Sequence, residues 1–426
     1  MLVLQAAGTP PRRKKKPAIG IAIAGGGPIG GMYELGALRA LDEAIAGLDM
    51  TALDVYVGVS SGAFIAASLA NGLDTTEMCR IFLTGDSHMA RFRPDVFIQP
   101  AFLEYLRRAA HVPRMLFDWF TAIARHPLDI RISDALLHLG SLLPTGLFDN
   151  DAVEAFLRGV FERPGHSNDF RTLKRKLYVI AVELDSGRRV RFGASGYDDV
   201  PISRAIEASA ALPGLYPPVR IKDRYYVDGA LQRTLHASVA LDEGADLVIG
   251  LNPLVPFDAQ GAYLHGKQAP ESLIEGGLPA VLSQTFRTLL RSRMQASLSK
   301  YAQQYPAADL VLFEPDPGNA ELFFTNVFSY ANRVHIAELA YHATLADLHA
   351  QRAQLAPVLE RHGLALREAV IADRRRRLVD GLEEHASVTT ASTARLRHAL
   401  DELGELVRRR TPRDGRPARR PRRRAP

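Results

Sequence analysis

Short apolar runs alternate with longer amphipathic stretches along most of the chain. Short runs rich in Val, Ile, Leu and Ala are typical of buried strands, whereas apolar positions that recur every third or fourth residue favour helices. The predicted strands span residues 18–24, 54–59, 176–184, 189–192, 225–227, 248–251 and 310–313. The predicted helices span residues 32–48, 63–70, 75–84, 99–125, 201–210 and 391–410, and the chain after residue 319 is mostly helical.

Strands that alternate with helices predict an α/β fold. We expect a mainly parallel central sheet flanked by helices, together with a largely helical C-terminal region. In such folds the functional site lies at the carboxyl ends of the parallel strands. The turns that follow the first two strands, at residues 25–31 and at Ser60, should therefore lie close together.

The net charge of +6 is concentrated in two short basic segments. Residues 12–16 carry five positive charges, and residues 408–426 hold ten Arg against one Asp, so the rest of the chain has a net charge of −8. An acidic body argues against a nucleic-acid partner. The Arg- and Pro-rich tail cannot form a packed core, and it is either a solubilising extension or a peripheral contact with anionic membrane.

Residues 12–24 superficially resemble a secretory signal, because five basic residues precede an apolar run. The run is short, and glycines follow it where a membrane-spanning helix would require Leu and Ile. We therefore expect a core strand at residues 18–24, no signal peptide and a cytoplasmic location, with peripheral membrane contact as the alternative. The single cysteine, Cys79, excludes an internal disulfide and a zinc site built from thiolates.

A candidate nucleophile follows the second predicted strand. Gly58-Val59-Ser60-Ser61-Gly62 fits the G-x-S-x-G pattern and precedes a helix of small residues. A sharp strand-to-helix turn exposes the central serine hydroxyl, and the flanking Gly58 and Gly62 relieve steric crowding. The pattern predicts that Ser60, rather than Ser61, is the nucleophile at the elbow.

A glycine-rich turn follows the first predicted strand. Gly25-Gly26-Gly27-Pro28-Ile29-Gly30 fits G-x-G-x-x-G, which is also the fingerprint of dinucleotide-binding folds. That function requires an acidic residue at the end of the second strand, where this chain has Ser60. Backbone N–H groups at the start of a helix can instead stabilise an oxyanion beside a serine nucleophile. The predicted oxyanion hole therefore consists of Gly25, Gly26, Gly27 and Gly30.

An aspartate ends a later predicted strand, where Asp228 follows Tyr226 and Val227 and precedes Gly229. Asp-Gly by itself usually marks a turn. A carboxylate at the end of a strand can also act as a general base or orient one. The segment at residues 207–219, directly upstream, favours the interpretation of Asp228 as a general base or as a residue that orients one.

Together these motifs resemble the signature of the patatin-like phospholipases. That signature combines a glycine-rich oxyanion loop, a G-x-S-x-G elbow, an A-S-x-A-x-P segment and a D-G-G or D-G-A motif. The corresponding segments of this chain are residues 25–30, 58–62, 208–213 and 228–230, and residues 144–149 are also similar. The resemblance covers about residues 17–240, extends only loosely over 241–407 and does not reach the tails.

The resemblance implies a lipid acyl hydrolase, such as a phospholipase A, with a Ser–Asp dyad and neither metal nor cofactor. Ser60 would attack an ester carbonyl, Asp228 would accept its proton, and water would hydrolyse the acyl-enzyme. Amides of the loop that begins at Gly25 would bind the oxyanion. The family usually has Arg or Lys just before the last loop glycine, where this chain has Ile29, and Pro28 has no N–H to donate.

Two alternatives remain open. One is a general carboxylesterase with Ser60, Asp228 and His236 as a triad, which has the chain order of the α/β-hydrolases. The other is a catalytically weak or inactive lipid-binding or scaffold protein that retains the fold, an interpretation that the uncharged Ile29 favours.

The predicted organisation has four parts. They are a basic disordered tail at 1–16, a catalytic domain at 17–240, a mixed and then helical extension packed on the core at 241–407, and a disordered tail at 408–426. Residues 92–143 interrupt the α/β pattern as a helical insertion that carries the only tryptophan, Trp119, and that is either a buried packing element or a lid. The expected partner is a lipid or phospholipid substrate, and the oligomeric state is not predicted.

Overall fold

The computed structural model describes residues 1–8, 16–87, 89–90, 92, 145–264, 272–325, 332–380 and 382. The chain divides into two compact units, Met1–Leu378 and Val379–Pro426. All the helices and strands among the described residues belong to the first unit.

The described residues form a nine-stranded sheet with the strand order β1-β10-β9-β2-β4-β5-β8-β7, and β6 pairs with β5. Its strands are β1 (Leu2–Gln5), β2 (Ile19–Ile23), β4 (Val55–Val59), β5 (Lys176–Glu183), β6 (Arg189–Phe192), β7 (Val219–Ile221), β8 (Arg224–Asp228), β9 (Leu247–Leu251) and β10 (Asp309–Phe313). A separate pair consists of β3 (Ile45–Ala46) and β11 (Ala365–Leu366).

The central strands β10, β9, β2, β4 and β5 run parallel to one another, whereas β1, β6, β7 and β8 pair antiparallel. The predicted fold class is therefore confirmed. Two of the parallel strands, β9 and β10, come from beyond residue 240, so the sheet draws on both sides of the boundary that the sequence predicted.

The helices that surround the sheet include long and very short ones. They are α1 (Gly27–Ala44), α2 (Ser61–Ala70), α3 (Thr75–Cys79), α4 (Asp151–Phe161), α5 (Ile202–Ser209), α6 (Ala237–Asp242), α7 (Ala259–Leu264), α8 (Gly277–Gln304), α9 (Ala320–Phe324), α10 (Arg333–Ala350), α11 (Arg352–Arg361) and α12 (Glu368–Ala372). A π-helical turn spans Arg80–Thr84, and short 3₁₀ turns span Phe170–Thr172, Gly229–Leu231 and Leu273–Gly276. Among the described residues, no helix combines the length and apolar character that crossing a bilayer requires.

The alternation of side chains along the parallel strands assigns the helices to the two faces of the sheet. Ala22 and Val57 lie in one hydrophobic cluster with residues of α6 and α8. Ile21 and Tyr56 alternate with them and are also fully buried, on the face that α2 covers. Both faces are therefore packed, which explains the nearly continuous apolar runs of β2 and β4.

Three sequence expectations need correction. Residues 2–5 form an edge strand rather than part of a disordered tail, because Leu2–Gln5 pair with β10. Helix α1 begins at Gly27 rather than at Met32, since Pro at the second helical position needs no hydrogen-bonded N–H and fits the first turn. Helix α2 starts at Ser61, directly after the candidate nucleophile.

Several expectations fall outside the described residues. These are the helix at 99–125, the insertion at 92–143 apart from Phe92, Trp119, the helix at 391–410 and the basic segments at 12–15 and 408–426.

Candidate active site

Ser60 occupies the sharp turn between β4 and α2. Its φ of 51° and ψ of −123° lie in a region that non-glycine residues rarely adopt. The two flanking glycines are required by close packing of the backbone: a Cβ on Gly58 would overlap Ala63, and one on Gly62 would overlap the carbonyl oxygens of Ile23 and Ala24. The G-x-S-x-G segment therefore has the strained geometry that holds a serine hydroxyl away from the backbone.

The side chain of Ser209 holds the backbone of this turn by hydrogen bonds. The Ser60 N–H donates to Ser209 Oγ at 2.8 Å, and Ser209 Oγ donates to the Ile180 carbonyl at 2.6 Å. Ser209 is fully buried at the end of α5. The A-S-x-A-x-P segment thus supplies a side chain that ties the elbow to β5.

Asp228 ends β8, and its carboxylate accepts a hydrogen bond from the Ala230 amide at 2.8 Å. The side chain is buried, and this burial raises the pKa of Asp228 to about 6, although the Ala230 N–H and the nearby Ser60 hydroxyl favour the ionised form. The next residue must be small, since a Cβ on Gly229 would overlap the Ile180 carbonyl oxygen. The structure therefore brings the two predicted catalytic residues together in the wall of one cavity.

The glycine loop lies against Ser60, where a Cβ on Gly25 would come within 2.9 Å of the serine Cβ. Its amides are not equivalent. The Gly26 N–H donates to Ser61 Oγ at 3.0 Å, and the Gly30 N–H donates to the Gly26 carbonyl at 3.0 Å as part of the first helical turn. Within the described part of the chain, the amides of Gly25 and Gly27 have no such partner, and Gly27 has a φ of +63°.

The sequence predicted an oxyanion hole of Gly25, Gly26, Gly27 and Gly30. Within the described residues, the N–H groups of Gly26 and Gly30 donate inside the protein, whereas those of Gly25 and Gly27 do not. An oxyanion hole in this loop would therefore use the amides of Gly25 and Gly27.

A buried glutamate lies behind the loop. Ser61 Oγ lies 3.4 Å from Glu34 Oε2, and Glu34 is completely buried in α1. Burial raises the pKa of Glu34 well above that of an ordinary carboxyl, which favours its neutral form, and its Oε1 has no hydrogen-bond partner among the described residues. The loop is thus held by the chain of contacts Gly26–Ser61–Glu34.

Ser60 and Asp228 lie in the wall of a cavity of about 270 Å³. The described part of this wall is mostly apolar, and Phe64, Phe82 and Phe92 pack edge to face within it at centroid distances of 4.8 and 5.2 Å. Its apolar members include Leu35, Ile65, Val153, Ile206, Leu212, Leu215 and Phe286. Such a cavity can hold a long hydrocarbon chain beside the serine.

His236 does not join Ser60 and Asp228. Its side chain is buried, its Nδ1 lies 3.4 Å from an Arg189 nitrogen, and its Nε2 has no hydrogen-bond partner in the part of the chain that the structure describes. Burial and the neighbouring Arg189 and Arg233 guanidinium groups lower the pKa of His236 to about 3. Among the described residues that line the cavity there is no histidine, so the geometry offers no Ser–Asp–His triad there.

Four site residues had no predicted role: Ser209, Ser61, Glu34 and Arg287, which also lines the cavity. Ser209 could have been suspected, since it is the one polar residue in the segment at 208–213. Glu34 is also a signal, because it is the only charged residue between residues 17 and 38 and charged residues are seldom fully buried. Nothing local marks Arg287, which is far from the motifs in sequence.

A family model and several relatives match this chain. A family model described as patatin-like phospholipase matches residues 21–241, just over half of the chain. An uncharacterised NTE family protein of Mycobacterium tuberculosis strain CDC 1551 is 25% identical over 316 residues, which cover 72% of this chain and 43% of that protein. A similarly described protein of Mycobacterium bovis is 24% identical over the same shares. The chain thus spans less than half the length of these relatives.

Among solved structures, VipD from Legionella pneumophila has a TM-score of 0.30 and 14% identity over 82% of this chain and 88% of that one. Human GIVD cytosolic phospholipase A2, in complex with methyl gamma-linolenyl fluorophosphonate, has a TM-score of 0.31 and 14% identity over 79% and 59%. These overlaps are low, and the assignment depends on the family model, whose matched region contains Ser60, Asp228 and the glycine loop. The chain belongs to the patatin-like phospholipase family.

Proposed function

We propose that this chain hydrolyses acyl ester bonds of lipids with Ser60 as the nucleophile and Asp228 as the general base. The observation that carries the proposal is that Ser60, at a strained strand-to-helix turn, and the buried carboxylate of Asp228 lie together in the wall of an apolar cavity. Membership of the family supports a lipid substrate.

In the first step Ser60 Oγ bonds to the carbonyl carbon of the ester while its proton passes to Asp228. The tetrahedral intermediate then collapses, and the proton passes from Asp228 to the departing alcohol as the C–O bond breaks. Water attacks the acyl-enzyme with Asp228 again accepting the proton, which releases the fatty acid and restores Ser60. A pKa of about 6 suits this role, because Asp228 is ionised at neutral pH and is a stronger base than an ordinary carboxylate.

The developing oxyanion would be bound by the amides of Gly25 and Gly27, which have no partner within the described residues. Both lie at the start of α1, where the partial positive charge of the helix terminus favours an anion. The chain of contacts Gly26–Ser61–Glu34 holds the loop against Ser60. Each such donor contributes about 3–4 kcal/mol to lowering the barrier in other serine hydrolases.

Helix α8 supports a substrate that comes from a lipid surface. Its residues Ser283, Phe286 and Arg287 line the cavity, while Leu278 and Leu282 on the preceding turns are 69% and 58% exposed. Exposed leucines beside a cavity of this kind favour contact with an apolar aggregate over contact with water.

The decisive test uses a medium-chain chromogenic ester and a fluorophosphonate probe on the wild type, Ser60→Ala and Ser61→Ala. Ser60→Ala should lower turnover by at least about 10⁴-fold and abolish covalent labelling. Ser61→Ala is the matched control, since it removes the neighbouring hydroxyl, and it should still be labelled. A wild-type protein that binds lipid vesicles but is neither labelled nor active would favour the inactive lipid-binding alternative.

A further inference from the structure

Arg287 is a cation in the cavity wall that the proposed chemistry leaves unused. Among the described lining residues, Asp228 and Arg287 are the two that carry a charge at neutral pH. Ile29 and Pro28 of the glycine loop contribute none. A positive charge within a wall of leucines and phenylalanines is costly unless an anion accompanies it.

The contacts of Arg287 position its guanidinium without neutralising it. One nitrogen, Nη1, donates to the Val255 carbonyl at 3.2 Å, and the guanidinium carbon lies 5.0 Å from the centre of the Phe323 ring. Its neighbour one turn along the helix, Arg291, pairs instead with the carboxylate of Glu314. Within the described residues no carboxylate pairs with Arg287, and burial lowers its pKa only to about 10, so the group stays charged at neutral pH.

A guanidinium held in this way has donors to spare. It presents five N–H groups in a planar fork that matches the oxygens of a phosphate or carboxylate. Only one of its nitrogens donates to a protein group among the described residues. The Phe323 ring lies against the guanidinium, and the other donors of the fork have no protein partner among the described residues.

We propose that Arg287 binds the phosphodiester of a glycerophospholipid whose acyl chain occupies the cavity. The proposal rests on the lipid hydrolase function given above and narrows its substrate to phosphate-bearing lipids. A neutral glyceride would fill the same apolar space but would leave the guanidinium unpaired. A fatty-acid carboxylate has similar chemistry, so the experiment must separate substrate from product.

The test compares Arg287→Gln with Arg287→Lys and with Lys300→Gln. The last is the matched control, because it removes one positive charge from an exposed position of the same helix. Turnover is measured on phosphatidylcholine and on diacylglycerol with identical acyl chains in neutral mixed micelles. Arg287→Gln should lower the ratio of kcat/KM for phosphatidylcholine to that for diacylglycerol by about tenfold, Arg287→Lys by less, and Lys300→Gln should not change it.

A binding measurement separates this inference from the proposed function. Dodecylphosphocholine carries a phosphodiester and no carboxylic ester, so it reports binding alone. Its dissociation constant should rise about tenfold in Arg287→Gln, even if the wild type hydrolyses no lipid, whereas that of dodecyl maltoside should not change. Unchanged turnover ratio and unchanged dodecylphosphocholine binding, in a variant with wild-type thermal unfolding, would overturn the proposal. The proposal would also be overturned if Arg287→Gln weakened inhibition by oleate but left the ratio of kcat/KM for the two lipids unchanged. Arg287 would then bind the carboxylate of the product rather than the phosphodiester of the substrate.

Discussion

Two glycine turns lie side by side at the carboxyl ends of the paired strands β2 and β4, and they use glycine for different purposes. In the elbow, Gly58 and Gly62 are needed because the backbones of β2, β4 and α2 pass too close for a side chain. In the loop, Gly25 and Gly26 are also closely packed, but Gly27 has a φ of +63°, and among the described residues nothing lies within 4 Å of an added Cβ. The residue with a positive φ is Ser60 in the elbow, at 51°, and Gly27 in the loop.

The difference implies that the elbow glycines matter mainly for folding, whereas Gly27 matters mainly for positioning a backbone N–H at the site. The elbow is fixed by main-chain packing that the fold itself requires, together with the hydrogen bond from Ser60 N–H to Ser209. The loop is held by side chains, since Gly26 donates to Ser61 and packs against Pro253. We therefore expect changes in the elbow to affect stability first, and changes in the loop to affect catalysis first.

After Ser60→Ala, the largest expected effect comes from Asp228, whose carboxylate lies beside the elbow in the cavity wall. Asp228→Asn should lower kcat/KM by about 10³-fold, because the amide cannot accept the Ser60 proton. The pH profile gives a second check. The wild-type rate should fall tenfold per pH unit below about pH 6, where Asp228 becomes protonated, and this acid limb should be absent from the residual activity of the variant.

Glu207 supplies the control for that profile. It is buried in α5 outside the described cavity wall, and burial raises its pKa to about 7. Glu207→Gln should keep the acid limb near pH 6. If the limb moves or disappears in Glu207→Gln and persists in Asp228→Asn, the assignment of the base to Asp228 is wrong.

The elbow was accessible from sequence because its requirements are local. A buried strand, two glycines and a serine in fixed order specify the turn at Ser60, and the parallel sheet follows from the alternation of strands and helices. The loop was predicted only in outline. The Gly26 amide is occupied because it donates to Ser61, and the spacing of the glycine motif does not reveal that hydrogen bond. The same is true of Arg287, which lines the cavity but lies far from every motif in sequence.

The start of α1 and the first strand were missed for a related reason. Glycine and proline usually end helices, so residues 27–31 resembled a turn, although proline is accepted in the first helical turn. Leu2–Gln5 are too few to identify a strand without their partner β10, which lies some 300 residues away in sequence.

A pair of glycine substitutions tests the separation of folding from positioning. Gly62→Ala should destabilise the protein by about 3 kcal/mol, because its Cβ would overlap two main-chain oxygens of β2 and the residue after it. In Gly27→Ala the added Cβ contacts nothing among the described residues, so the free energy of unfolding should fall by only about 1 kcal/mol, because alanine disfavours a positive φ. Urea unfolding gives both values.

The same pair should show the opposite order in catalysis. An alanine that leaves the positive-φ region would turn the Gly27 N–H away from Ser60, so we expect kcat to fall by about 10²-fold in folded Gly27→Ala. Folded Gly62→Ala, measured at low temperature, should lose less. Equal losses of kcat in the two variants would mean that the elbow and the loop form one unit and that the distinction between them is wrong.

The smallest expected effect concerns the chain of contacts Gly26–Ser61–Glu34. Ser61→Ala removes the acceptor of the Gly26 N–H, and loss of one such hydrogen bond costs about 1 kcal/mol, or about fivefold in kcat. Glu34→Gln should change kcat by less than about twofold, because burial already favours a neutral group at this position and the amide is also neutral. Steady-state kinetics with thermal unfolding of both variants measures this. A larger loss in Glu34→Gln than in Ser61→Ala would mean that Glu34 acts as an ionised group, and the loop would then be held by charge rather than by the serine hydroxyl.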